Sequence, residues 1–380
     1  MAAYVQALCA ELYMLAAMPA AALPQEHAPE HGLTAASLRP TIFLGGGTPS
    51  MLPKELLAQV LAAAHQVVAL AGAEVTLEAN PGTVLGRSYL RELRDLGVNR
   101  LSMGVQSLHD PTLKVLGRIH SAAEAYQSFE DARAAGFDNI NLDFIFGLPG
   151  QTLEQWQATL TEIAGWQAEH FSLYSLILEP STPLFAQVMS GRVSVPDDDL
   201  SGAMYEQAID QLGSAGYVQY EISNWARGNG SSQDQTSVRP GLASQMGSAY
   251  VCQHNIAYWL NVDYLAAGAG AHGHVYPQRF ANVLGIDDYI AAVARGSAIA
   301  ELTALSAADL AAETMFMGLR LTEGVGYTHF QERCGQSMQV VYGAELGELE
   351  ALGLLLRDQH GVRLTPRGRM LGNRVFERFV

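Results

Sequence analysis

The sequence predicts an α/β protein built on parallel strands joined by helical crossovers. Three observations carry that expectation. Short β-rich runs alternate with stretches of helical apolar spacing across the first half of the chain, and turn-forming strings fall just after the strand runs. The 380 residues are 49% hydrophobic, enough to bury a substantial core, and the length suggests one large domain with a smaller one.

In chain order, Ala2, Tyr4, Val5, Leu8, Leu12 and Leu15 form an apolar pattern that Glu11 interrupts, which reads as an amphipathic helix. It has neither the basic flank of a signal peptide nor the run of about 20 apolar residues of a membrane anchor. Strand runs follow at 41–44, 75–78, 101–105, 140–146 and 171–177, and helical patterns lie between them at 54–70, 89–96, 122–135 and 153–166. Such alternation means parallel strands with right-handed crossovers, hence a (β/α) barrel or a doubly wound sheet. Gly45-Gly46-Gly47, Asn80-Pro81-Gly82 and Gly147-Leu148-Pro149-Gly150 each end a strand run. Ligands of parallel α/β folds bind at those carboxyl ends, so the working edge is predictable.

From 227 to 248 the composition turns to Gly, Ser, Gln, Asn and Asp, as expected of a disordered loop or linker. Beyond it, helices are expected at 307–319, around 340–342, at 345–356 and at 369–379, with a turn at His360-Gly361 before a strand at 362–364. Helices with a short hairpin suggest a small winged-helix-like domain. With 38 acidic against 22 basic residues the net charge is -16, which leaves no basic excess for nucleic-acid phosphates. The cysteines Cys9, Cys252 and Cys334 are odd in number and widely separated, so they describe no disulfide framework and fit a reducing cytoplasm.

Several residues could carry chemistry. The string Gly45-Gly46-Gly47-Thr48-Pro49 is either a tight turn or a backbone cradle open to a ligand. Glu78 ends one strand run, Gln106 follows the next, and Asp143 lies inside an apolar run where a carboxylate is costly without a donor. Arg118, read as lying on the preceding helix, is its candidate partner. These four form either a buried ion pair that only fixes the fold or part of a site for a zwitterionic, hydroxyl-rich ligand such as S-adenosylmethionine (SAM). In Cys252-Gln253-His254-Asn255-Ile256-Ala257-Tyr258-Trp259, the histidine is either structural or an axial nitrogen for a porphyrin iron with aromatic faces beside the macrocycle. Cys252 is either a second heme ligand or, as preferred, a buried spectator, and His272 and His274 receive no role.

Five strings in order, Gly45-Gly46-Gly47-Thr48-Pro49-Ser50, Glu78-Ala79-Asn80-Pro81-Gly82, Gly104-Val105-Gln106-Ser107, Leu116-Gly117-Arg118-Ile119-His120 and the run from Asp143 through Gly150-Gln151-Thr152, resemble the consecutive motifs of one family. That family is the radical SAM group of oxygen-independent coproporphyrinogen III oxidases and heme chaperones, and the resemblance covers nearly the whole chain. It implies an open six-stranded (β/α) barrel with Gly46, Gly47 and Thr48 at the methionine part of SAM and Glu78, Gln106, Arg118 and Asp143 lining the rest. His254-Asn255-x-x-Tyr258-Trp259 resembles the signature of the chaperone branch, which implies heme binding by those four residues and transfer of heme to respiratory membrane proteins.

The family's Cys-x-x-x-Cys-x-x-Cys motif, which ligates a [4Fe-4S] cluster ahead of the Gly-Gly-Gly-Thr-Pro loop, has no counterpart here, since only Cys9 precedes that loop. The expectation is an incomplete barrel lacking its first strand and cluster loop, through a gene model that starts late, or through true loss of the cluster. The domains expected are a core at 1–226, a polar insertion at 227–250, a heme-motif region at 251–300 and the C-terminal domain at 301–380. A coproporphyrinogen III oxidase and a cluster-free pseudoenzyme are the alternatives to the chaperone.

Overall fold

The computed structural model describes residues 1–18, 38–68, 72–83, 86–180, 182–229 and 248–380. The polar insertion expected at 227–250 therefore lies, over 230–247, outside the described residues. Its main sheet contains β1 (Thr41–Leu44), β2 (Glu74–Ala79), β3 (Arg100–Gln106), β4 (Ile140–Phe146), β5 (His170–Ser175), β6 (Tyr217–Glu221) and β7 (Asn224–Arg227). The order is β1-β2-β3-β4-β5-β7-β6, with β1 to β5 parallel and β7 antiparallel to both its neighbours, β5 and β6. The sheet is open. Helices Lys54–Ala64, Gly86–Asp95, Ala122–Ala134 and Leu153–Gly165 connect successive parallel strands, as the sequence predicts.

Local chemistry accounts for these boundaries. The Ala122–Ala134 and Leu153–Gly165 helices both begin with reciprocal capping boxes, Ser121 with Glu124 and Thr152 with Gln155, which satisfy backbone donors left over by the first turn. The core lies between sheet and helices, where Leu77, Leu101, Met103 and Phe144 of the strands meet Leu93, Phe129 and Trp156 of the helices. Trp156 Nε1 donates to Met204 O at 2.8 Å, which fixes the helix Asp198–Ser214 onto this layer.

The sequence did not reveal the β6–β7 hairpin or a second sheet made of β8 (His272–Val275), β9 (Gln278–Asn282) and β10 (Ile299–Ala304). Every residue of β10 is exposed, so no buried face marks it as a strand. The N-terminal helix Ala2–Ala16 docks beside this sheet through Glu11, whose buried carboxylate accepts from Gly268 N (2.8 Å), Asn282 Nδ2 (2.7 Å) and Tyr289 Oη (2.6 Å). The residue that interrupts the apolar pattern is thus the one that anchors the helix.

In the C-terminal domain, helices Ala307–Gly318, Tyr327–Cys334 and Met338–Ala351 pack with a three-stranded sheet of β11 (Val325–Gly326), β12 (Leu355–Arg357) and β13 (Gly361–Leu364), a winged-helix-like arrangement. The helices expected around 340–342 and at 345–356 lie within Met338–Ala351, where a non-helical Tyr342 (φ −127°, ψ 21°) separates them; the second stops at Ala351 and not at 356, and Gly353 at φ +70° releases Leu355 and Leu356 into β12. The final helix is two short ones, Pro366–Met370 and Gly372–Phe376, divided at Leu371.

Glu169 joins two strands of the main sheet to the helix Ala122–Ala134. Its buried carboxylate accepts from Arg133 Nη2 (2.7 Å) and Ile140 N (3.1 Å) and pairs with Arg227. Removing it leaves the Ile140 N–H and the Arg227 guanidinium without this acceptor, while Arg133 keeps Phe137 O and Gln167 O, so Glu169→Ala should lower unfolding stability by about 2–3 kcal/mol. Urea titration checks this, with a midpoint shift at constant slope expected and an unchanged midpoint contradicting it.

Candidate functional site

Strand alternation builds the site. In β3, Leu101, Met103 and Val105 face the helices and Arg100, Ser102, Gly104 and Gln106 face inward; in β4, Asn141, Asp143 and Ile145 face inward. Successive parallel strands therefore stack their polar residues on one inner surface. Two adjoining cavities lie along it, of about 260 and about 450 Å³, and they share Glu78, Ser102, Gln106 and Asp143.

The smaller cavity gathers Gly47, Thr48, Glu78, Gln106, Arg118 and Asp143, six of the seven residues expected around SAM. The seventh, Gly46, donates its backbone N–H to Glu78 Oε2 at 3.1 Å. Gly46 and Gly47 have φ of +75° and +63°, which side-chain-bearing residues rarely adopt. A Cβ at Gly45 would stand 2.7 Å from Phe43 Cε1 and 3.0 Å from Glu78 Cδ. The glycine run is thus both the turn and the cradle. Gln106 takes φ +70°, an uncommon conformation for a residue with a side chain and one that recurs at ligand sites. Burial, and the charge of Asp143, push Glu78 toward its protonated form against the lowering effect of the Gly46 N–H.

The proposed pairing of Arg118 with Asp143 is corrected. Arg118 lies in the turn after the helix Asp110–Val115 and donates to Asn80 Oδ1 at 3.5 Å. Asp143 instead accepts from Asn141 Nδ2 (2.7 Å) and Ser102 Oγ (3.4 Å). Burial raises its pKa despite these bonds. Neutral donors within the sheet hold this carboxylate, which leaves the Arg118 guanidinium at the rim.

Asn141 extends the network. Because its Nδ2 serves Asp143, its Oδ1 faces His170 Nδ1 at 2.6 Å and must accept from it. His170 Nε2 then accepts from Tyr220 Oη at 2.9 Å, and Tyr220 Oη accepts from Cys252 N at 3.3 Å. Burial drives the His170 pKa well below the ordinary value, in keeping with this neutral tautomer.

That chain ends at the helix Gln253–Trp259. Buried Glu74, the first residue of β2, accepts from Gln253 N and His254 N, both at 3.1 Å, and Cys252 Sγ lies 3.6 Å from it. It holds the start of the helix against the sheet. The His254 ring stacks on Phe43 at 4.9 Å, meets Tyr258 edge-on at 4.9 Å and places Nδ1 2.9 Å from Thr41 Oγ1. Burial lowers its pKa to about 4, so the ring is neutral at pH 7. Its Nε2 has no hydrogen bond to another described residue. Cys252 is buried and its thiol is pushed up to about 12, as befits a spectator.

The four residues expected at heme do not form one face. His254 and Tyr258, four apart, meet; Asn255 lines the larger cavity; Trp259 lies under the Arg320 guanidinium at 4.5 Å. The helical period puts position 259 well round from 254. Sequence reasoning missed Arg100, Ser102, Asn141 and Ser172 on the inner surface, although the period-two alternation of β3, β4 and β5 carries that signal.

The polar set at the smaller cavity fits SAM: backbone donors and acceptors at open glycines, two carboxylates for hydroxyls or an ammonium, and a guanidinium for a carboxylate. The cysteines do not fit a three-thiolate [4Fe-4S] set. Cys9 lies on the N-terminal helix, Cys252 is buried against Glu74 and Cys334 belongs to the C-terminal domain; among the described residues no group of three His, Cys, Asp or Glu is placed to hold a metal ion.

Comparison with known proteins agrees with this geometry. The radical SAM superfamily model matches residues 20–163, and the HemN C-terminal domain model matches 305–371. Heme chaperone HemW of Bacillus subtilis (strain 168) is 37% identical over 343 residues, covering 90% of this chain and 85% of that protein. Radical S-adenosyl methionine domain-containing protein 1, mitochondrial, of Mus musculus is 39% identical over 341 residues, covering 86% and 72%. The structure of coproporphyrinogen III oxidase (HemN) from Escherichia coli, a radical SAM enzyme, has a TM-score of 0.74 at 22% identity and covers 99% of this chain and 82% of that one, a likeness of fold. With a relative of such identity spanning most of both chains, this chain belongs to the HemW family of radical SAM proteins.

Proposed function

We propose that the protein is a cytoplasmic heme chaperone that binds heme through His254 and passes it to respiratory membrane proteins, with SAM held in the adjoining strand-end site. The state of the His254 ring carries the reading. An iron takes an unprotonated imidazole nitrogen, and a bond from the other ring nitrogen selects which one it is. In the tautomer whose Nδ1–H donates to Thr41 Oγ1, 2.9 Å away, the Nε2 lone pair is left for iron. Tyr258 and Phe43 supply aromatic surface beside it, and membership of the HemW family supports the assignment.

Gly46, Gly47 and Thr48 would hold the methionine end of SAM, while Glu78, Gln106, Arg118 and Asp143 would take its remaining polar groups. When bound, SAM supplies a sulfonium with a cleavable carbon–sulfur bond. The residues of this chain bind and orient it, and Glu74 is a positioning residue for His254. The domains proposed are a radical SAM core at 1–226, a heme-motif region at 251–300 and a winged-helix-like domain at 301–380. Among the described residues no helix is long and apolar enough to cross a membrane.

Three outcomes follow from these roles. His254→Ala should move the Soret band and weaken heme binding by about tenfold or more, as expected for loss of an interaction worth over 1.4 kcal/mol, whereas His272→Ala should leave the spectrum unchanged. A heme titration in which the two variants behave alike would sink the assignment. Because His254 stays unprotonated down to a pKa of about 4, heme affinity should hold level from pH 8 to about pH 5 and fall as pH passes through 4. Titrations at stepped pH check this, since a ligand with the ordinary value near 6.5 would already lose ground below that pH. Arg118→Ala should weaken SAM binding by roughly tenfold, in line with a charge-assisted hydrogen bond, without altering the Soret band, and Asp143→Ala should weaken SAM binding by up to about tenfold through loss of a hydrogen bond. Equilibrium dialysis with SAM measures the first effect, and unchanged retention would refute the placement.

A further inference from the structure

The larger cavity has an apolar, open rim and a polar, buried floor. At the rim Ile177 is 76% exposed and Tyr174 42%, with Phe43 and Ile145 continuing the apolar wall. The floor holds Ser102, Asn141 and Ser172, and below them Arg100 at 2% exposure. Among the described residues the Arg100 guanidinium has no hydrogen bond and no ion pair, and its buried Nε has no partner. Burial lowers its pKa, and Cys252, Glu74, Tyr220 and Asp143, acting through space, more than offset that effect. Other buried charges of the protein are partnered directly, Glu169 by two arginines and Glu11 by three donors. A buried guanidinium facing a cavity without such a partner is costly unless an anion completes it.

Resting on the heme reading above, we propose that Arg100 anchors a carboxylate of the cargo, so that a porphyrin lies against the apolar rim and one propionate side chain reaches down the cavity. The chemistry matches from top to bottom: an aromatic macrocycle for Phe43, Ile145, Tyr174 and Ile177, then an acid for Arg100, with Ser172 and Asn141 beside the path. Guanidinium and carboxylate pair through two parallel N–H···O bonds, which fixes orientation as well as affinity. The carboxylates that also line the cavity do not cancel this attraction. Asp143 is engaged by Asn141 and Ser102, Glu78 is engaged by Gly46 N, and burial pushes both toward the neutral form.

The test compares heme (iron protoporphyrin IX) with its dimethyl ester, which keeps the macrocycle and iron but carries no acid. Soret titration of the full chain should show the free acid binding about tenfold or more tightly than the diester, the size expected for one charge-assisted pair. Arg100→Gln should bring that ratio to within about twofold while keeping the band position that His254 sets, and Arg100→Lys should retain part of it. Equal binding of acid and diester by the unaltered protein overturns the assignment whether or not any variant folds. An undiminished ratio in a folded Arg100→Gln variant overturns it too. SAM retention in Arg100→Gln should match that of the unaltered protein; a loss there, with the acid-to-ester ratio intact, would assign Arg100 to the SAM carboxylate and overturn the proposal. Failure of both porphyrins to bind would overturn the heme reading itself, and this assignment with it.

Discussion

The candidate heme site depends on one buried carboxylate. Glu74 stands at the start of β2 and receives the backbone N–H groups of Gln253 and His254, nearly 180 residues away in sequence. A carboxylate at a helix N-terminus satisfies donors that the helix cannot, and it complements the partial positive charge there. The cost of burying Glu74 is offset by those bonds, and their geometry decides where His254 sits. With the helix start fixed, the ring falls beside Thr41 and Phe43 of β1. Two strands and one short helix therefore fix one imidazole.

The same region joins the two candidate sites through a continuous set of hydrogen bonds. From Asp143 the chain runs through Asn141, His170 and Tyr220 to the backbone of Cys252, just ahead of the helix that carries His254. Each member has one donor and acceptor assignment once Asn141 is oriented by Asp143. Such a buried network is stable only when fully paired, which makes it a rigid spacer. The network thus links the Asp143 carboxylate to the start of the helix that carries His254.

Much of this was legible in the sequence, and the reasons for what was not are physical. The parallel strands at 41–44 and 140–146 coincide with β1 and β4, because apolar runs bounded by glycine turns leave few alternatives. The residues expected around SAM were chosen from strand ends and motif order, and six of them line one cavity. The Arg118–Asp143 pair failed because complementary charge at plausible spacing does not reveal nearer neutral donors such as Asn141 and Ser102. The second sheet failed because β10 is exposed along its length and β8 is rich in glycine and histidine, so tertiary pairing alone makes them strands. The role of Glu74 lay beyond any local window, since its partners are distant in the chain.

The overlooked signal was the polarity of alternate strand residues. Val75, Leu77, Leu101, Met103, Ile140, Leu142, Phe144, Phe171 and Leu173 all join the helix-facing core, while the residues between them are Thr76, Arg100, Ser102, Asn141, Asp143, His170 and Ser172. Parallel sheets covered on both faces by helices read as continuous apolar runs, because both sides are then hydrophobic. A sheet whose second face is polar yet buried cannot be covered in that way. It must curve round a polar interior, and that interior must be satisfied by its own network or by what enters it. Here the network accounts for Asn141, His170 and Ser172, while Thr76 Oγ1 and Arg100 Nε remain without partners. The distinction between core and site is thus written along single strands, one residue apart, with apolar side chains toward the helices and polar ones toward the interior.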